Sequence, residues 1–196
     1  MKLFFSLRTL VIFLFLSSCV KSLYPITSNS QDIIFKKELM GNWRDAKGTT
    51  EYIVDELSKT TGKKYKVSLI DHSKSADTSK YLMILVNLKG HYFLDCMPDT
   101  SEGVYSKISD WDKVFLLPTH FFIKVYSISK NSIIMSPIDK DALSLLFKTG
   151  KIKMKHENLE GDDILLSEKS EKLQEKLLEL DKFPSIYSKD SLIRVK

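Results

Sequence analysis

Tyr81-Leu82-Met83-Ile84-Leu85-Val86-Asn87-Leu88, followed by Lys89-Gly90 and then His91-Tyr92-Phe93-Leu94-Asp95-Cys96-Met97, is the stretch that decides the fold. Two apolar runs of strand length meet across a two-residue turn that contains glycine, which predicts a β-hairpin. The first run has almost no polar interruption. A strand apolar on both faces is buried on both faces, or it forms a wall against a cavity.

Outward from this hairpin the same cadence repeats. Thr49 to Asp55 is rich in β-formers, Ser58 to Lys63 is a polar turn, and Lys64 to Asp71 alternates Tyr65, Val67 and Leu69 with Lys64, Lys66 and Ser68. After the polar stretch Asp99 to Asp112, whose Tyr105, Ile108 and Trp111 are spaced for a short helical turn, Thr119 to Ile128 sets Phe121, Ile123 and Val125 opposite Phe122, Lys124 and Tyr126. Asn131-Ser132 turns that strand into Ile133 to Ser136. Consecutive strands joined this way predict an antiparallel meander. Two helices are expected among the strands. One opens at Pro137 and Asp139 and ends at Gly150, with Leu143, Leu146 and Phe147 as its apolar face. The other begins at Ser167 and carries Leu173, Leu177 and Leu180, a stripe that predicts docking on the sheet. Lys151 to Glu157 and Asp163 to Leu166 form a strand pair, a short helix covers Asp32 to Met40, and Ser191 to Val195 is a closing strand. The fold class is mainly β, an antiparallel meander or barrel with two helices.

The first nineteen residues set the expected address. Lys2 and Arg8 precede the apolar run Leu10 to Leu16, and Ser17-Ser18 lead to Cys19. A spanning helix needs about 20 consecutive apolar residues, and Arg8, Ser17, Ser18 and Lys21 break the run, so a cleaved leader is expected. Leu16-Ser17-Ser18-Cys19 resembles the bacterial lipobox. That resemblance implies residues 1–18 as a signal peptide, a diacylglycerol on Cys19, and membrane attachment through the lipid. The expected location is the bacterial cell envelope, and the outer membrane if the organism is Gram-negative. Residues 19–38, polar and without apolar period at first, are expected to be the lipidated cysteine and its tether, and residues 39–196 a single β-rich domain.

Composition agrees with an exported globular body. Loss of residues 1–18 removes Lys2 and Arg8 and no acid, so the formal charge falls from +5 to +3. The charges are interspersed, with no basic stripe, and nucleic acid is not an expected partner. With Cys19 acylated, Cys96 has no partner for an intrachain disulfide. It is expected to serve as a small hydrophobe.

Gly41-Asn42-Trp43 resembles the Gly-x-Trp opening of lipocalin-like barrels, and the resemblance implies that Arg194, near the end of the chain, could stack on Trp43 as an arginine does in those proteins. Leu39 to Val195 is also similar to uncharacterised bacterial exported proteins, through Gly41-x-Trp43, Gly90-His91-x-Phe93-Leu94-Asp95, Leu117-Pro118-x-His120-x-Phe122-x-Lys124-Val125 and Leu166-Ser167. The resemblance implies a β-barrel architecture and no particular chemistry.

Reactive constellations are sparse. The four histidines, His72, His91, His120 and His156, lack metal-ligand spacing, and there is no nucleophile elbow or phosphate loop. No catalytic set, cofactor or metal is expected. One polar cluster is conceivable: His91 and Asp95 share a strand face, and His120 could approach from the next strand, suiting acid/base work or zinc. The bland alternative ties each to a local partner. Three functions follow in order: a membrane-anchored lipoprotein that binds a small apolar ligand without catalysis, an envelope protein-interaction module, and a hydrolase or metal-dependent enzyme.

Overall fold

The computed structural model describes residues 20–57, 62–73, 77–101, 107–109, 116–160, 163–187 and 190–195. Cys19, the leader, and Tyr105 and Trp111 of the long connection lie outside the described residues.

Eight strands close on themselves. They are β3 (Gly41–Asp45), β4 (Thr50–Glu56), β5 (Lys64–Asp71), β6 (Asp77–Leu88), β7 (His91–Pro98), β8 (His120–Ile128), β9 (Ser132–Pro137) and β12 (Asp190–Arg194). Each pairs antiparallel with the next in chain order, and β12 returns to β3. The result is a closed up-and-down barrel, consistent with a lipocalin-like one. Closure leaves none of these strands with an edge. The hairpin that opened the sequence reading is its tightest joint, since Lys89 and Gly90 both take positive φ, 53° and 91°. That pair of angles is the type I′ turn that matches the strands' own twist.

Strand alternation sorts the side chains into two cores, one on each side of the β6–β8 wall. Inside the barrel lie Trp43, Val54, Tyr65, Val67, Met83, Leu85, Leu94, Val125, Ile133 and Leu192. Outside, Val86, Leu88, Phe93 and Phe122 meet the covering elements. The almost wholly apolar run of residues 81–88 is thereby explained, because both of its faces are covered.

The outer cover has two helices and a small sheet extension. Helix α1 (Lys140–Lys148) is capped by Asp139, whose side chain accepts from Ala142 N at 2.8 Å. Helix α2 (Ser170–Leu180) buries Leu173, Leu177 and Leu180 completely against the wall. β10 (His156–Asn158) pairs with β11 (Ile164–Leu166), and β11 runs parallel to β1 (Val20–Ser22), which in turn pairs with the start of β8. β2 (Ile33–Ile34) lies against β6.

Several expectations differ from this structure in detail. The stretch expected to be a tether is folded: β1 begins at Val20, Ile26 is fully buried, and Thr27 is buried. Its polar composition hid this, because its few apolar side chains are all that is needed to seat a short strand on an existing apolar wall. The helix expected over Asp32–Met40 is β2 followed by a single 3₁₀ turn, Lys37–Leu39. A barrel mouth needs only a short plug, and pairing with β6 outcompetes helix propensity. Of the strand expected over 151–157 only His156 and Glu157 pair, within β10, and α2 begins at Ser170 instead of Ser167.

Candidate ligand-binding cup

One end of the barrel is sealed. Trp43 is fully buried and donates from Nε1 to Leu39 O at 2.8 Å, which fixes the 3₁₀ turn across the opening. Tyr65 OH donates to Lys36 O at 3.1 Å and accepts from Lys36 N at 2.7 Å, and Phe35 stacks on its ring at 5.0 Å between centroids. Lys36 Nζ lies 4.4 Å from the centre of the Tyr92 ring.

Arg194 holds this seal from the last strand. Its guanidinium carbon sits 4.1 Å from the Trp43 ring centre, a cation–π distance. It donates to Met40 O and to Glu38 O, each at 2.8 Å, and to Lys130 O. The glycine in Gly41-x-Trp43 follows from the same geometry. Gly41 has φ +122°, and a Cβ there would collide with Arg194 Nη1. Gly41, Trp43 and Arg194 are one assembly.

The other end is different. By register, Tyr52, Leu69, Tyr81, Cys96 and Ile123 point inward on five consecutive strands beyond the buried layer. All five are half-buried, whereas Val54, Val67, Met83, Leu94 and Val125 one step deeper are buried. Cys96 carries the clearest signature. Burial, with the charge of Asp95 beside it, pushes its thiol far above the ordinary range, and the residue as a whole is half-buried. An eight-stranded barrel has room either for its own side chains or for one small ligand, and among the described residues burial falls off towards this half.

Tyr52 belongs to this half-buried layer. Burial and the charges of Asp45 and Asp190 push its phenol up to about 12, with Tyr81 and Cys96 close enough to contribute. In the unfolded chain a tyrosine titrates near 10. Between the two values the folded state keeps a proton that the unfolded state has lost, so stability is whole below pH ~10 and falls as pH rises through about 12. Phenolate absorbance on alkaline titration should therefore show a late component that Tyr52→Phe deletes. Loss of a component near pH ~10 instead of the late one would place Tyr52 in open water.

The polar cluster expected from sequence assembles only in part, and outside the barrel. His120 Nδ1 lies 2.6 Å from Asp95 Oδ1, and Asp95 Oδ2 accepts from Ile26 N at 2.8 Å. Asp95 is 3% exposed, so the dyad pins the segment around Ile26 onto β7. His91 does not join it. Two residue pairs along the strand separate it from Asp95 by about 13 Å, and its Nδ1 lies 2.6 Å from Asp181 Oδ2, at the end of α2. Asp181 also pairs with Lys124, and its charge together with burial pushes the Tyr187 hydroxyl upward. Sequence reasoning missed Asp181, Tyr52 and the acids around the cup, because only the register and the long connection before β12 bring them there. Among the described residues, no group of three His, Cys, Asp or Glu side chains could hold a metal ion.

No known family, curated protein or solved structure matches this chain.

Proposed function

We propose that the protein is a lipid-anchored envelope protein, acylated at Cys19, whose barrel holds a small apolar ligand in the open half without transforming it. In a Gram-negative organism its place would be the outer membrane. The observation that carries the binding reading is the change from buried to half-buried side chains along the lumen, with Trp43 and Arg194 sealing the opposite end. Tyr52, Leu69, Tyr81, Cys96 and Ile123 offer a wall that is mostly apolar with a few polar atoms, the usual make-up of a ligand site.

The test fills the cup. N-phenyl-1-naphthylamine, a neutral apolar probe, is expected to bind the wild type at about one molecule per chain and to brighten. Ile123→Trp should abolish that signal while the thermal midpoint stays within a few degrees. Equal binding by both proteins, or none by the wild type, would remove the ligand reading. The anchor is tested separately by metabolic labelling with a fatty acid, which Cys19→Ser should eliminate. An envelope interaction module is the second reading, supported by Leu116 and Leu117, 40% and 65% exposed just before β8 on the side of the open mouth. Cell crosslinking from that segment to a single envelope protein would favour it.

A further inference from the structure

The sheet ends at β10. Strand order runs β10, β11, β1, β8, and among the described residues no strand pairs with the outer side of β10. Two printed bonds tell which backbone groups face that side. Ser167 N donates to Lys155 O at 3.0 Å and Leu159 N to Asp163 O at 2.8 Å, so the odd-numbered residues turn their backbone groups to β11. The N–H and C=O of His156 and Asn158 then point outward. Local bonds hold the approach to the strand: Lys155 N donates to Glu168 Oε1 at 2.9 Å, and His156 Nδ1 to Met154 O at 2.8 Å. Open space adjoins the same residues. A cleft of about 420 Å³ is lined by residues 152–156 together with Phe147 and Glu168. Side chains alternate along this segment, with Ile152 and Met154 buried and Lys153, Lys155, Glu157 and Leu159 exposed.

We infer that a second copy of this chain docks on β10, the two edges pairing antiparallel about a two-fold axis so that the two sheets become one. The bonding pattern requires an even-numbered residue opposite an even-numbered one. With His156 opposite its own counterpart, Lys155 of each copy faces Glu157 of the other, and Lys153 faces Leu159. One bonded pair to either side of that register, Lys155 or Glu157 would oppose itself. Opposite charges directly across two strands attract and like charges repel, so the sequence selects the first register. A self-complementary patch of this kind is what a two-fold interface needs. The Lys153 stem would also cover Leu159, 39% exposed as it stands, and pairing would remove an open strand edge. The contact is short and belongs with weak, reversible interfaces. It is independent of the ligand reading.

Sedimentation equilibrium of the full chain in mild detergent, over a wide range of concentration, should show monomers in exchange with dimers. Lys155→Glu should weaken the dimer about tenfold. Adding Glu157→Lys, which exchanges the two charges, should restore it, and salt should weaken the wild type. Both positions are exposed, so neither variant should move the thermal midpoint. Oxidative crosslinking reads the register. Positions 155 and 157 of opposite copies form the close, non-bonded pair that a disulfide can span, so a mixture of Lys155→Cys and Glu157→Cys chains should crosslink faster than either chain alone. A monomer at every concentration would overturn the inference and leave the edge to a strand of another protein. A dimer indifferent to Lys155→Glu, or Lys155→Cys crosslinking alone as fast as the mixture, would overturn it as well.

Discussion

Trp43→Ala should cost about 3–5 kcal/mol, the usual loss for truncating a fully buried tryptophan, and lower the thermal midpoint by roughly 10 °C. Three things go at once. The closed half of the barrel loses its largest side chain, the 3₁₀ turn loses the indole donor to Leu39 O, and Arg194 loses the ring it stacks on. Trp43→Phe restores much of the volume and leaves the carbonyl unpaired, so it should fall between. The assembly makes a sharper claim as well. Gly41→Ala should be severely destabilising in the wild type, because its backbone angle and Arg194 both exclude a Cβ. In an Arg194→Ala background the same substitution should cost measurably less, since one of the two obstacles has gone. Urea denaturation of the four proteins reads the coupling. Strict additivity would mean that Gly41 is needed for its φ alone.

Asp181→Ala is expected to be nearly as damaging, at about 3 kcal/mol or more, for an electrostatic reason. Asp181 neutralises Lys124 at a site where the two side chains are 12% and 11% exposed, and it also meets His91, whose side chain is 46% exposed. Removing the carboxylate strands the Lys124 ammonium beside Tyr126 and Tyr187, 5.2 Å and 4.9 Å from the ring centres, with no counter-charge. His91 simply turns to water. The double variant Asp181→Leu with Lys124→Met should recover most of the loss, because an apolar pair is a better occupant of such a site than half an ion pair. Amide hydrogen exchange should localise the single variant's damage to the end of α2. Uniform loss of protection across the barrel would refute a local pin.

The barrel was legible where local chemistry and periodicity agree. Residues 81–97 announced a hairpin, Thr119 to Ile128 declared its two faces, and Leu173, Leu177 and Leu180 declared the face of α2 that packs. Closure was not legible, because the pairing of β12 with β3 and β9 joins residues far apart in sequence and no turn signal specifies it. Gly41, Trp43 and Arg194 stood out only through resemblance to another barrel family. For the candidate cluster, sequence put His91 and Asp95 on one face correctly, but a shared face is not a shared site when the two are four residues apart on an extended strand. The partner that draws His91 away, Asp181, lies 90 positions later. The segment after Cys19 was the largest departure, since a few apolar residues docking on a wall built by others leave no periodic trace.

That segment also constrains the order in which the molecule can be put together. β1 sits between β8 and β11, and Lys21 reaches Asp163 across 142 positions at 2.8 Å. Hairpins from β3 to β9 can form from neighbours as soon as they exist, whereas the slot for Val20–Ser22 is built only after the last third of the chain has been made. Residues 20–22 therefore wait, after they are made, for partners more than 140 positions downstream, and anything that holds this segment during that interval delays the parallel pairing with β11.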